Sequence, residues 1–232
     1  MEPVPETEKA LNVLLSYGDT EVHRSLLEMS RRAQEIVPEC VGLSLGLIED
    51  GLTFTMVASS AALAELDAVQ YLDGGPCIAA EGQREPIAVN VADLMDEDRW
   101  LMYAQASSAS GVASSLSLPL LRGQQVVGGI NLYASTGDAF EGRHQELAEA
   151  LGSSADGMIT NADLEFSTRL EAAEAPARLA DQDDIDVALG VVSASLGVDI
   201  TTAHQRLRQA AARAGISEAQ AARTLKHLYD AV

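Results

Sequence analysis

Residues 41–58 read VGLSLGLIEDGLTFTMVA, and this stretch decides the fold. Val41, Leu43, Leu45 and Leu47 alternate with Gly42, Ser44 and Gly46, and Leu52, Phe54, Met56 and Ala58 alternate again. A period of two is that of a strand with one buried face. Glu49-Asp50-Gly51 lies between the runs, and Asp-Gly tolerates the positive φ of a tight turn. A β-hairpin is therefore expected, and with it an antiparallel sheet.

Ahead of the hairpin, Val22, Leu26, Met29, Ala33, Ile36 and Val37 recur at helical spacing until Pro38, so Glu21 to Val37 is expected as a helix. Beyond it, Ala61 to Tyr71 reads as a short helix and Gly74-Gly75-Pro76 as a breaker loop. Ile87, Val89 and Val91 read as a strand, and Asp98 to Ser108 as a helix carrying Trp100, the only tryptophan. Leu116, Leu118 and Leu120 alternate, Arg122-Gly123 turns the chain, and Val126 to Tyr133 supplies a last strand. Its Gly128 and Gly129 suggest a bulge or close packing. From Phe140 to about Leu170 an apolar stripe of Leu147, Leu151, Ala155, Met158, Ala162 and Phe166 marks one long helix. A stripe running past its own domain needs a partner, and a second copy of the chain is the simple candidate.

Glu171 to Ala180 is Ala-rich, contains Pro176 and reads as a linker. Three helices are expected after it. Asp184 to Leu196 is apolar on several sides, as in a bundle. The second opens with Thr202 and Gln205 at capping-box spacing and stops at Gly215; the third opens with Ser217 and Gln220, with Ile216 placed to staple onto Ala221. The division expected is a tail over 1–20, a sensory domain over 21–165, a helical linker over 166–180 and an output domain over 181–232.

Composition narrows the functions. The 232 residues are 47% apolar and carry a net charge of −20, which on average repels nucleic acid and anionic membranes. Aromatics are only 4%, so the cores must be aliphatic. The acidic, Pro-containing start does not read as a secretory signal. The uncharged stretch from Trp100 to Leu121 is serine-rich and contains Pro119, so it does not read as a membrane span. A cytoplasmic location is the expectation. Cys40 and Cys77 form no CxxC motif, no metal cluster is visible, and two apolar-flanked thiols suit a reducing compartment. P-loop, GxSxG and HExxH signatures are absent. Asp96-Glu97-Asp98 reads as a loop or cap, and His23, His144, His204 and His227 fall on expected helices without a paired nucleophile, so no enzyme is expected.

Two resemblances rest on particular residues. Gly75-Pro76-Cys77-Ile78-Ala79-Ala80, Asp98-Arg99-Trp100, Gly111 to Leu120, Gly128 to Ala134 and Phe140 resemble, in order and spacing, a GAF domain of the actinobacterial regulatory type. That implies an α+β fold with an antiparallel sheet flanked by helices, and a small-molecule pocket that Cys77 and Trp100 would line. The cyclic-nucleotide signature is incomplete, because Asn131 and Phe140 are present but Leu132 stands where the lysine is usual. No haem, bilin or other cofactor is expected. Ile185, Ala188, Gly190, Ala203, Leu207, Arg208 and Ala210 resemble an ANTAR domain, a three-helix module. This implies a dimer that binds RNA stem-loops and prevents transcription termination. Three positions depart from that pattern: Gln182 replaces an arginine, Leu189 a lysine and Ser193 a methionine.

Charge segregates in the same region. Arg206, Arg208, Arg213, Arg223 and Lys226 lie between His204 and His227 with Glu218 as the only acid there, a local charge of about +4 in a strongly acidic chain. Clustered cations attract phosphates by releasing condensed counterions, so these five are the candidate RNA-binding residues. Two readings stay open: a sensor controlling an RNA-binding antiterminator, or a ligand-sensing or protein-interaction dimer whose ANTAR-like domain no longer binds RNA.

Overall fold

The alternation over 41–58 becomes β1 (Cys40–Glu49) and β2 (Leu52–Ala58), an antiparallel pair turned at Gly51, whose φ is +77°. A computed structural model of the chain describes residues 20–49, 51–97, 99–160 and 179–230. Along the chain follow α1 (Thr20–Ile36) ahead of the hairpin, then α2 (Ala61–Asp73), α3 (Pro76–Gln83), β3 (Ile87–Asn90), α4 (Val91–Asp96), α5 (Leu101–Ala109), β4 (Ser114–Arg122), β5 (Gln125–Ala134), α6 (His144–Thr160), α7 (Leu179–Leu196), α8 (Ile200–Ala214) and α9 (Glu218–Asp230).

The five strands form one antiparallel sheet in the order β2-β1-β5-β4-β3. Its register sorts the side chains. Leu45 pairs with Ile130 and Ile130 with Leu118; one residue on, Ser44 pairs with Asn131 and Asn131 with Ser117. Successive residues point to opposite faces, so an aliphatic row lies directly behind a polar one. The aliphatic face packs against Leu26, Met29 and Ala33 of α1 and Leu147, Leu151, Ala155 and Met158 of α6. Gly128 permits that approach: a Cβ there would meet the Gly46 carbonyl oxygen at 2.3 Å and Ile159 Cδ1 at 2.6 Å. The expected close packing at the glycines is thus present, with a register shift beside it at Leu120/Leu121.

The other face carries α2 and α3, and the C-terminal helices lie over this side. Ile185, Ala188, Leu189 and Val192 of α7, Ala203, Leu207 and Ala210 of α8 and Ala222 and Leu225 of α9 share one continuous hydrophobic cluster with Leu63 and Leu66 of α2, Leu94 of α4 and Met102 and Tyr103 of α5. α8 packs on α2 and reaches β2, while α9 packs on α5 and α2.

Several boundaries differ from expectation. Pro76 does not only break the chain; it sits in the first turn of α3, where its fixed φ and missing N–H are tolerated. Val91 is not in the strand but starts α4, because the Asn90 side chain accepts from the Ala92 N–H at 2.9 Å and caps a helix there. The Trp100 helix begins at Leu101, with Trp100 outside it in the left-handed region at φ +50°. α8 is capped by Asp199, whose carboxylate accepts from the Thr202 N–H at 2.9 Å, and not by Thr202 with Gln205. The Ser217/Gln220 capping box does form: the Ser217 N–H donates to Gln220 Oε1 at 2.9 Å and the Gln220 N–H to Ser217 Oγ at 3.2 Å. Phe140 precedes its helix, which starts at His144, and the stripe as far as Met158 is buried within the same chain. Ala162 and Phe166 lie outside the described residues, as do the tail up to residue 19 and most of the expected linker, although Leu179 and Ala180 belong to α7.

Candidate functional site

The polar row of the sheet is the start of a buried hydrogen-bonded layer. Ser44, Thr53, Thr55, Ser115, Ser117 and Asn131 are all buried, at 5% exposure or less, and all come from strand positions that alternate with apolar ones. α2 sets Asp67, Gln70 and Tyr71 over this row, one turn of helix presenting all three, and α3 adds Cys77 and Glu81, four residues apart and so on one face.

Asp67 is the centre of the layer, 1% exposed. Its Oδ2 accepts from Thr55 Oγ1 at 2.8 Å, and its Oδ1 from the Tyr133 hydroxyl and from Asn131 Nδ2 at 3.2 Å. Thr55 has a single hydroxyl proton, which goes to Asp67. The contact of 2.9 Å between Thr55 Oγ1 and the Tyr71 hydroxyl is therefore a bond in which Tyr71 donates. Asn131 is oriented in the same way: its Oδ1 accepts from Ser117 Oγ at 2.9 Å, which leaves its amide to donate. Burial pushes the Asp67 carboxyl above its ordinary range, while the hydroxyl and amide donors hold it down.

Glu81 forms the second acidic point. It accepts from the Thr53 hydroxyl, and the Cys77 thiol approaches it at 3.6 Å. Burial raises Glu81, and the same burial, with the Glu81 and Asp67 charges, raises the Cys77 thiol well above its usual value. Cys77 is thus held as the thiol, the opposite of the thiolate a nucleophilic cysteine requires. Gln70 ties the two ends of the layer together: its Oε1 accepts from the Cys77 N–H at 2.9 Å and its Nε2 donates to the Tyr133 hydroxyl at 3.3 Å. Gly75 is required beneath it, since a Cβ there would lie 2.5 Å from Gln70 Cγ.

A cation reaches this layer from the far end of the chain. Arg213, in the last turn of α8, donates from Nε to the Thr53 carbonyl at 2.6 Å, and its guanidinium lies 4.2 Å from the centre of the Tyr71 ring. Its charge favours the ionised form of Glu81.

The sequence candidates are dispersed by the fold. Cys77 sits within the layer. Trp100 lies at the edge of the adjoining cluster, beside Gly74 and under the Arg99 guanidinium at 4.8 Å, in a strained backbone conformation. Among the five basic candidates Arg213 is turned towards β2 and α2, and Lys226 lies 2.6 Å from Asp184 of α7. Arg206, Arg208 and Arg223 are at the surface, and the Arg208 charge also acts on Glu218, which His204 Nε2 approaches at 2.7 Å. Leu189, where a lysine is usual in the resembled family, is buried, and Ser193 donates to the Val198 carbonyl at 2.6 Å.

Asp67, Tyr71, Glu81 and Tyr133 were not singled out from sequence. Only a weak signal existed: Asp67 lies with Glu65 and Gln70 in the mostly apolar run LAELDAVQYL, and Thr53, Thr55, Ser117 and Asn131 occupy the alternate strand positions. Among the described residues, no group of three or more His, Cys, Asp or Glu side chains is placed to hold a metal ion, and no single helix is long and apolar enough to cross a membrane.

A family model for the GAF domain matches residues 23–159. Among solved structures, fRMsr of Staphylococcus aureus, in complex with substrate, aligns at 14% identity and a TM-score of 0.38 over 68% of this chain and 98% of that one. SdiA in complex with octanoyl-rac-glycerol aligns at 14% identity and a TM-score of 0.46, over 97% and 96%. No curated protein matches the chain.

Proposed function

The chain belongs to the GAF domain family over residues 23–159, and from that premise we propose that it is a non-catalytic regulator which senses a small molecule at the polar layer around Asp67. The observation that carries this reading is the chemistry of the layer. A fully buried carboxylate with hydroxyl, phenol and amide donors is a costly way to fill the interior, and aliphatic residues would stabilise the same space better. The opposite face of the sheet is filled in that cheaper way. The layer holds two carboxylates, a thiol and several hydroxyls against one guanidinium. It therefore suits a neutral or cationic polar molecule that offers hydrogen-bond donors, and disfavours an anion.

The test is a thermal-shift screen of polar metabolites on the full chain. A ligand that binds only the folded state raises the melting temperature. Asp67→Asn combined with Tyr133→Phe is expected to abolish the shift while the variant remains folded. An equal shift in variant and parent would remove the layer from recognition.

The proposed output is the three C-terminal helices, read as an ANTAR-like domain that binds RNA stem-loops in a cytoplasmic homodimer and prevents transcription termination. Arg206, Arg208 and Arg223 would carry phosphate contacts. Replacing Arg206 and Arg208 with alanine is expected to weaken binding to stem-loop RNA and reduce the salt slope by about one per arginine; unchanged binding would discard these residues. Light scattering is expected to give about twice the 24.4 kDa chain mass. A second reading, a ligand-sensing or protein-interaction dimer without RNA, is favoured by the Arg213 bond to Thr53, by the ion pair of Lys226 with Asp184 and by the burial of Leu189. RNA cross-linked to the protein in cells would reject it.

A further inference from the structure

We infer that Arg213 is a residue of the sensory site delivered by the C-terminal helices, so that docking of those helices and the arrangement of the polar layer around Tyr71 are a single equilibrium. The inference rests on reading the layer as the sensing site. Three features of the geometry support it.

The first is where the guanidinium ends. α8 buries alanines on either side of Arg213, at Ala210, Ala211 and Ala214, and small side chains suffice to pack it. A long cation at this position is not needed to fill space. It extends to the Thr53 carbonyl and covers the Tyr71 ring, combining a charge-assisted hydrogen bond with a cation–π contact. The second is what lies beyond the ring. The Tyr71 hydroxyl donates to Thr55 and Thr55 to Asp67, so the ring that holds Arg213 is positioned by the carboxylate at the centre of the layer. A molecule that donates to Thr55 in place of the Tyr71 hydroxyl releases Tyr71, and Tyr71 then no longer supports the guanidinium. The third is unused capacity. Arg213 spends Nε on Thr53, and among the described residues its two terminal nitrogens make no hydrogen bond. They remain able to donate to an acceptor group of a bound molecule.

Thermodynamic reciprocity follows. Whatever binding at Asp67 does to helix docking, helix docking does to that binding by the same factor. A second polar tie, from Thr224 Oγ1 of α9 to Glu65 Oε2 of α2 at 2.8 Å, belongs to the same docked surface.

The two cysteines report on this state. Cys77 is buried in the layer that Arg213 faces, and Cys40 is buried in the cluster behind the sheet. Burial raises both thiols, so alkylation by iodoacetamide requires local opening. In the full chain without ligand, Arg213→Ala is expected to speed Cys77 alkylation about tenfold while Cys40 keeps its parent rate. Arg213→Lys keeps the charge but loses the planar stack, and is expected to give a smaller, still Cys77-selective increase. Tyr71→Leu is expected to speed Cys77 less in the Arg213→Ala background than in the parent, because the two share the cation–π contact while the Tyr71 hydroxyl bond to Thr55 is lost in both. Unchanged Cys77 rates overturn the inference. Equal acceleration of both thiols in both Arg213 variants also overturns it, since that is general loosening. No ligand enters this experiment, so failure to find one for the layer leaves the result standing. Conversely, a ligand shift abolished by Asp67→Asn with Tyr133→Phe, alongside unchanged Cys77 rates, retires Arg213 alone.

Discussion

Leu45, Ile130 and Leu118 stand in register across three strands; one residue along, Ser44, Asn131 and Ser117 do the same on the reverse of the sheet. The first row meets aliphatic side chains from α1 and α6. The second meets an aspartate, a glutamine and tyrosines from α2 and β5. The backbone and the period are the same, but the two faces fill their space by different means. The aliphatic face gains from every buried methylene without directional demands. The polar face gains little net stability and loses heavily if one partner is removed. On the reading proposed above, the layer is kept for recognition, and the GAF family membership over residues 23–159 agrees with a sensing or signalling role.

The contrast can be broken by substitution. Leu45→Ala, on the aliphatic face, is expected to cost about 2–5 kcal/mol in chemical denaturation, because a fully buried side chain leaves a cavity. A smaller loss would mean that the helices on that side close over the gap. On the polar face Asn131→Leu keeps the volume but strands the Ser117 hydroxyl and an Asp67 oxygen, and about 1–3 kcal/mol is expected. A stabilised variant would show that the layer opposes folding as it stands. Ser117→Ala removes one donor to Asn131 and is expected to cost about 1 kcal/mol.

A pH series sharpens the contrast further. Burial raises Asp67 and Glu81 in the folded state, so the native protein binds more protons than the unfolded chain over the interval between the two pKa values. Stability from these groups is then full below the unfolded carboxylate range and declines as pH rises through the folded values. Melting temperatures from about pH 4 to pH 8 are expected to fall less steeply in Asp67→Asn than in the parent. A steeper fall in the variant would contradict a raised Asp67.

Most strands and helices were legible in sequence because their signals are local. The hairpin follows from alternation and Asp-Gly, α1 from its apolar stripe, and the Ser217/Gln220 cap from spacing. Misplaced boundaries came from competing local chemistry: Asn90 captured a helix N-terminus just where an aliphatic run suggested continued strand. The candidate site was legible only at Cys77. The local signal at Asp67 is weak, since an acid on a short helix that also carries Glu65 is ordinarily solvated. Its partner Asn131 is 64 positions away.

The order of residues alone determined the alternation of the strands, the apolar stripe of α1, the Asp-Gly hairpin turn and the Ser217/Gln220 cap, but not the other caps or the polar side of the sheet. Only the tertiary structure decided which charges meet. Arg213 belongs by composition to a basic cluster, yet it lies against a carbonyl 160 positions earlier. Backbone propensity acts over a few residues, whereas the fate of a charge depends on what desolvates it and what stands within a few ångströms once the chain has closed.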